Sequence, residues 1–133
     1  MKYKKYAFIA IMLVVAIIGV ISFSQKPNQP SEQLQANQFA QVQQALAKGA
    51  LLIDVRTPDE YAAGHIAGAE NLSLQAIQSG AMPNGDTNKK IYVYCRSGHR
   101  AAQAAILLQK AGYAVDNLGG MDGVVAMGGT VVK

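Results

Sequence analysis

The sequence predicts an α/β domain in which helices cover both faces of a parallel sheet, preceded by an N-terminal hydrophobic export segment. Short, mainly apolar runs typical of buried strands alternate with helical patterns from residue 34 to the C-terminus, which favours a parallel sheet. A separate apolar run follows a group of lysines at the N-terminus, as in export segments. With 133 residues, the chain is long enough for one such domain and too short for two.

Residues 1–24 have the composition of a signal peptide or an N-terminal membrane anchor. Lys2, Lys4 and Lys5 precede an apolar run over residues 6–23, whose 18 residues are the lower limit for a membrane-spanning helix. Both forms of the segment keep the lysines inside and export everything that follows. We therefore expect an extracytoplasmic protein of the periplasm, either soluble after signal cleavage or anchored to the inner membrane through residues 6–23.

The net charge of the chain comes mainly from residues 1–24, which carry three lysines and no acidic side chain. A net charge of +4 is typical of proteins that bind nucleic acid or anionic membranes. Residues 25–133, however, carry nine basic and eight acidic side chains, a net charge of +1. We therefore expect no nucleic-acid partner. We also expect a monomer. The single cysteine, Cys95, excludes a disulfide framework, a cysteine-based zinc site and a two-cysteine redox site, and we expect no metal and no cofactor.

The domain is predicted to span residues 34–133. Residues 25–33 contain two prolines and no apolar side chain, which predicts an exposed linker. The pattern then becomes helical, and Gly49 provides the stop signal. The apolar side chains of this helix share one face, and they are Phe39, Val42 and Leu46.

Short strands and capped helices are predicted for the rest of the domain. Thr57 is a helix N-cap followed by Pro58 at the first helical position and by Glu60 at the third, which together predict a capping box. Ser73 is predicted to cap a second short helix, and residues 79–90 are a loop rich in Gly, Pro and Asn. Strands are predicted at residues 50–55, 69–72, 91–94 and 114–118, and helices after Thr57 and at residues 74–78 and 100–110.

The loop at residues 95–100 is the candidate site, because it joins a predicted strand to a predicted helix. Ligands of open parallel sheets bind there, against helix N-termini. Gly98 allows the loop to turn its N–H groups inward around an anion, and Arg96 and Arg100 add positive charge. These surroundings favour the thiolate of Cys95 and suit covalent transfer of sulfur or phosphorus. The alternative is a buried, inert thiol, against which the two arginines argue.

The order of the motifs resembles that of the rhodanese family. The segments that carry the resemblance are residues 52–56, 60–61, 64–69 and 71–72, the loop at residues 95–100 and the turn at residues 119–121. The resemblance extends from about residue 34 to the C-terminus. In its size and its export segment, the chain is similar to the periplasmic single-domain thiosulfate sulfurtransferases of the phage shock protein E type. The resemblance implies a rhodanese-like α/β fold.

The resemblance also implies a chemistry. Cys95 would attack the outer sulfur of thiosulfate, release sulfite, and pass the sulfur of the resulting persulfide to cyanide or to a thiol. Arg100 would be the main substrate contact, whereas Arg96 would flank the mouth of the pocket and His99 would contact an acceptor or simply belong to the loop. The predicted substrate-binding set is Arg96, Ser97, Gly98, His99 and Arg100.

Other residues are expected to support the site. We expect Asp54 and Arg56 to form a polar pair at a strand end, and His65 to bond backbone near the site. Tyr92 and Tyr94 are expected to pack on the sheet. The glycines at residues 119 and 120 are expected to shape a turn.

Two alternative functions stay open at this point. One is a non-catalytic or persulfide-carrier rhodanese module that binds a partner. The other is a phosphatase-like enzyme, but related phosphatases and arsenate reductases place five residues between the cysteine and the arginine. Here four residues separate Cys95 from Arg100, and the tighter loop suits a sulfur atom better than a tetrahedral phosphate.

Overall fold

The computed structural model describes residues 30–133, with side chains from residue 38 onward. The predicted export segment at residues 1–24 lies outside the described residues. Among the helices of the described part, none is both long and apolar enough to span a membrane.

Five helices and six strands make up the described part of the chain. The helices are α1 (Pro30–Ala47), α2 (Pro58–Ala63), α3 (Leu74–Gln78), α4 (His99–Lys110) and α5 (Met121–Ala126). The strands are β1 (Leu51–Asp54), β2 (His65–Ile66), β3 (Ala69–Asn71), β4 (Lys90–Cys95), β5 (Ala114–Gly120) and β6 (Val131–Val132).

The predicted parallel α/β sheet is confirmed. Four strands pair in the order β3-β1-β4-β5, and each neighbouring pair is parallel. The remaining strands, β2 and β6, form a separate antiparallel pair. Because β1 and β4 are neighbours in a parallel sheet, α2 and the cysteine loop start from the same edge.

Helices pack on both faces of this sheet, as predicted. Side chains alternate along β4, so that Val93 and Cys95 face α3 and α4, whereas Tyr94 faces α1 and α5. On the first face the buried set is Ile53, Val55, Ile77, Ile91, Val93, Cys95, Ala101, Ala104, Ala105, Leu108 and Val115. On the second face it is Phe39, Val42, Leu52, Ile66, Ala69, Tyr94 and Val124.

Several boundaries differ from those predicted. Helix α1 begins at Pro30, so residues 30–33 of the predicted linker are helical. Proline suits the start of a helix because its missing N–H needs no partner there. Strands β2 and β6 have two residues each, too few for a periodic pattern, and α5 contains a glycine and two valines, which have weak helix propensity. The sequence therefore predicted none of these three elements.

The predicted helix caps are confirmed. The Thr57 hydroxyl accepts a hydrogen bond from the Glu60 N–H, and the Glu60 carboxylate accepts one from the Thr57 N–H, which completes the capping box of α2. Ser73 caps α3 through the N–H of Ala76. These caps fix where the short helices begin and therefore where α2 stands relative to the sheet edge.

A buried polar network joins β1, β4 and β2. Arg56 donates to Asp54 through Nε at 2.9 Å and through Nη2 at 2.6 Å, and Asp54 is 0% exposed. The Tyr94 hydroxyl donates to Asp54 Oδ2 at 2.8 Å and accepts from the N–H of Ile66 at 2.9 Å. Burial raises the pKa of Tyr94, so the hydroxyl keeps its proton. Tyr94 therefore does more than pack, which is all that the sequence predicted.

Replacing Tyr94 with Phe should destabilise the domain by roughly 1–3 kcal/mol, because the carboxylate of Asp54 and the N–H of Ile66 each lose a buried partner. The measurement is the free energy of unfolding in urea. Tyr92→Phe is the matched control, since no side-chain hydrogen bond of its hydroxyl is found among the described residues. Equal losses in the two variants would contradict the assigned role of the network.

Candidate active site

Cys95 ends β4 at the centre of a small anion cradle. Its Sγ accepts a hydrogen bond from the N–H of Gly98 at 3.0 Å and one from the N–H of Ala101 at 3.4 Å. Gly98 has φ of 94°, a left-handed conformation that an L side chain rarely adopts. One N–H group of the loop and one of the first turn of α4 therefore point at the sulfur, and Cys95 is 0% exposed.

The cysteine loop packs against the glycine turn formed by residues 119 and 120 at the end of β5. A Cβ atom on Gly120 would lie 2.8 Å from the carbonyl oxygen of Arg96, and one on Gly98 would lie 3.3 Å from Cα of Gly119. Register pairing also places Gly120 beside Cys95. Gly120 thus does more than shape the turn, because it and Gly98 allow the backbone of the loop to lie directly on β5, whereas a Cβ atom on Gly119 would meet no atom within 4 Å.

Arg100 lies in the first turn of α4 and binds Glu60 with both terminal nitrogens. Nη1 donates to Oε2 at 2.7 Å, and Nη2 donates to Oε1 at 2.9 Å. The hydrogen bonds from Arg100 lower the pKa of Glu60 from 4.5 to about 2, so this side chain is a carboxylate at neutral pH. Glu60 in turn raises the pKa of Arg100, and the sulfur of Cys95 contributes in the same direction.

Glu60 is the site residue that sequence reasoning missed. The sequence predicts Glu60 as the third residue of the α2 capping box, a role that the structure confirms, and as part of the segment at residues 60–61 that resembles the family. The same carboxylate also reaches Arg100, which is 40 residues further along the chain. The signal that could have found it is topological, because Glu60 and Arg100 each follow one of two neighbouring strands.

Two clefts flank the ion pair of Glu60 and Arg100. Arg96 is exposed and contributes to a cleft of about 320 Å³, in keeping with its predicted position at the mouth of a pocket. The other residues of this cleft are Arg56, Glu60, Ala63, Met121 and Asp122. Arg100 contributes to a second cleft of about 200 Å³, which is lined further by Val55, Thr57, Pro58, Ser73, Leu74, Gln75 and Gln78.

The remaining loop residues face outward. Ser97 and His99 are exposed, and His99 Nδ1 lies 3.2 Å from the side-chain nitrogen of Gln103, on the outer side of α4. Of the predicted substrate-binding set, Gly98 thus contacts the sulfur of Cys95 through its N–H, whereas the Arg100 guanidinium contacts Glu60.

The predicted supporting residues lie in the framework around the site. Asp54 and Arg56 form the buried pair described above, and Arg56 Nη2 also donates to the carbonyl of Gly64 at 2.7 Å. His65 Nδ1 lies 3.0 Å from the carbonyl oxygen of Tyr61, and the two rings stack with centroids 3.7 Å apart. Within residues 30–133, no three His, Cys, Asp or Glu side chains come together as metal ligands.

Comparisons with known proteins place this geometry in a family. The model of the rhodanese-like domain matches residues 38–127. The chain is 38% identical to the thiosulfate sulfurtransferase PspE of Escherichia coli over 73 residues, which cover 52% of this chain and 68% of that protein. It is 36% identical to the thiosulfate sulfurtransferase GlpE of Pseudomonas entomophila over 77 residues, which cover 58% of this chain and 68% of that protein.

Solved structures agree. A rhodanese of Escherichia coli solved with anions superposes with a TM-score of 0.54 at 34% identity, covering 64% of this chain and 99% of the other. A rhodanese-like domain from Anabaena gives a TM-score of 0.58 at 31% identity, covering 64% of this chain and 100% of the other. The matched residues include α2, the loop at Cys95 and the glycine turn, so the elements that build the site are the shared ones. The chain belongs to the rhodanese family.

Proposed function

We propose that this protein is an exported thiosulfate sulfurtransferase that works through a persulfide on Cys95. The observation that carries the proposal is the position of the Cys95 sulfur, which accepts hydrogen bonds from Gly98 and Ala101 at the start of a helix. Such donors stabilise negative charge on sulfur without having to reorganise during the reaction. The relatives named as thiosulfate sulfurtransferases support thiosulfate as the donor.

The first half-reaction forms the persulfide. The thiolate of Cys95 attacks the outer sulfur of thiosulfate and forms a new S–S bond. The S–S bond within thiosulfate breaks, and its electron pair leaves on sulfite. The persulfide that remains on Cys95 carries one negative charge on its outer sulfur, and no proton has to be moved if the enzyme starts as the thiolate.

The second half-reaction restores the enzyme. Cyanide or a thiolate attacks the outer sulfur of the persulfide and forms the new bond to sulfur. The S–S bond to Cys95 breaks, and its electron pair returns to the cysteine as a thiolate. The product is thiocyanate when cyanide is the acceptor, and a persulfide of the thiol when a thiol is the acceptor.

Charge and access govern how the donor reaches the sulfur. Arg100 beside Cys95 and Arg96 at the mouth of the neighbouring cleft favour the approach of a small dianion. An Escherichia coli relative solved with anions is in keeping with such a site. Because the side chain of Cys95 is 0% exposed, we expect the loop or its arginine side chains to move as the donor enters.

Replacing Cys95 with Ser should abolish sulfite release from thiosulfate with cyanide as acceptor, because the nucleophile is lost. Intact-mass measurement after thiosulfate treatment should show one added sulfur atom on the wild type and none on Cys95→Ser. A persulfide that forms without turnover would identify a carrier module instead. Hydrolysis of an aryl phosphate by the wild type would favour a phosphatase, and absence of both adduct and turnover would refute the proposal.

Replacing Gly120 with Ala should slow persulfide formation at least about tenfold, because its Cβ would lie 2.8 Å from the Arg96 carbonyl and push the loop off β5. Gly123→Ala is the matched control, since a Cβ at this position of α5 meets no atom within 4 Å. Gly123→Ala should leave the rate unchanged and, through higher helix propensity, stabilise the domain by up to about 1 kcal/mol. Single-turnover sulfite release and urea unfolding measure the two effects. Equal rates in both variants would show that the close contact has no bearing on the cradle.

Export is the second part of the proposal. With residues 1–24 at its N-terminus, the protein should be recovered from the periplasm or the inner membrane when it is produced in a Gram-negative host. Fractionation followed by intact mass distinguishes the two forms, because signal cleavage removes the lysines and the apolar run, whereas an anchor retains them. Recovery of the full-length chain from the cytoplasm would contradict export.

A further inference from the structure

The ion pair between Glu60 and Arg100 joins a fixed carboxylate to a flexible guanidinium side chain. Glu60 is held at the start of α2, where its Oε2 accepts hydrogen bonds from the N–H and the hydroxyl of Thr57, both at 3.1 Å. The carboxylate therefore has a fixed position relative to β1. Arg100 has a long, flexible side chain that is about one-third exposed, and it adopts the orientation that this carboxylate dictates.

The pair leaves Arg100 able to bind a second anion. A guanidinium has five N–H groups, and Glu60 receives one from each terminal nitrogen. Among the described residues, no partner is found for the Nε–H group or for the second N–H on each terminal nitrogen. Arg100 precedes Ala101, whose N–H donates to Cys95 Sγ, so the backbone that carries the guanidinium lies next to the reacting sulfur.

We propose that Glu60 is a positioning residue, whose carboxylate orients Arg100 beside Cys95 to receive the anionic end of the sulfur donor. The inference rests on the proposed function, and it adds to it a residue that touches neither the donor nor the reacting sulfur. Two other roles are open to the pair. Glu60 would act as a shield if it competed with the donor for Arg100, and as a fold contact if it only joined α2 to α4.

Variants of Glu60 that keep its negative charge distinguish the effect of the position of the carboxylate from the effect of its charge. Glu60→Asp keeps the negative charge but withdraws the carboxylate by one methylene. Asp59→Glu is the matched control, since it moves the charge of the exposed neighbour by the same length, and Asp59 makes no ion pair among the described residues. Glu60→Gln removes both the negative charge and the ion pair with Arg100. Thermal unfolding of each variant checks that the fold is retained.

Alkylation of Cys95 provides a readout that does not depend on sulfur transfer. Iodoacetate and iodoacetamide have nearly the same size and differ in charge, and Cys95 is the single cysteine of the chain. The rate of alkylation by iodoacetate divided by the rate with iodoacetamide therefore reports how well the site receives an anion. It should fall about fivefold in Glu60→Asp, fall also in Glu60→Gln, and stay unchanged in Asp59→Glu. In the same variants of Glu60, KM for thiosulfate should rise about fivefold while kcat changes less than about twofold.

Each other outcome overturns the inference in a recognisable way. A ratio that rises above the wild type in Glu60→Gln identifies Glu60 as a shield. A ratio that is unchanged in both Glu60 variants, with a lower melting temperature, identifies a fold contact. If the wild type releases no sulfite from thiosulfate, the proposed function fails, and the alkylation ratios still decide the role of Glu60.

Discussion

The parallel pairing of β1 with β4 positions the two ion pairs around Cys95. Asp54 pairs with Tyr94 in the register, and the two are 40 residues apart in the chain. Glu60 and Arg100 are also 40 residues apart, because each lies six residues beyond its member of the register pair of Asp54 and Tyr94. The register that joins the strands thus continues past their ends, and it brings the start of α2 against the start of α4.

The groups that act directly on the Cys95 sulfur are backbone dipoles rather than charged side chains. Two arginines of the site each form an ion pair, Arg56 with Asp54 and Arg100 with Glu60. The charges that act on the Cys95 sulfur at hydrogen-bond distance are the partial charges of backbone N–H groups. Backbone dipoles are fixed by the fold and need no counter-ion, so they favour an anion here even though residues 25–133 have a net charge of only +1.

Much of the fold was predictable, because its signals are local. The apolar runs of β1 and β4, the capping box at Thr57 and the glycine stops are each contained within a few residues. The cysteine loop was predictable for the same reason. The hydrogen bond of Tyr94 and the ion pair of Glu60 were not, because both depend on the register between strands far apart in the sequence. Elements of two residues, such as β2 and β6, have no period to detect.

The full burial of the Cys95 side chain controls which molecules reach its sulfur. Oxidation of a cysteine requires that the oxidant reach its sulfur, and here no sulfur surface faces solvent. In the proposed reaction, the same opening must therefore admit both the donor and any oxidant. A persulfide on Cys95 would place its outer sulfur, rather than the cysteine sulfur, in the path of an oxidant that enters. The donor would then protect the cysteine sulfur while the site is open, whereas burial protects it while the site is closed.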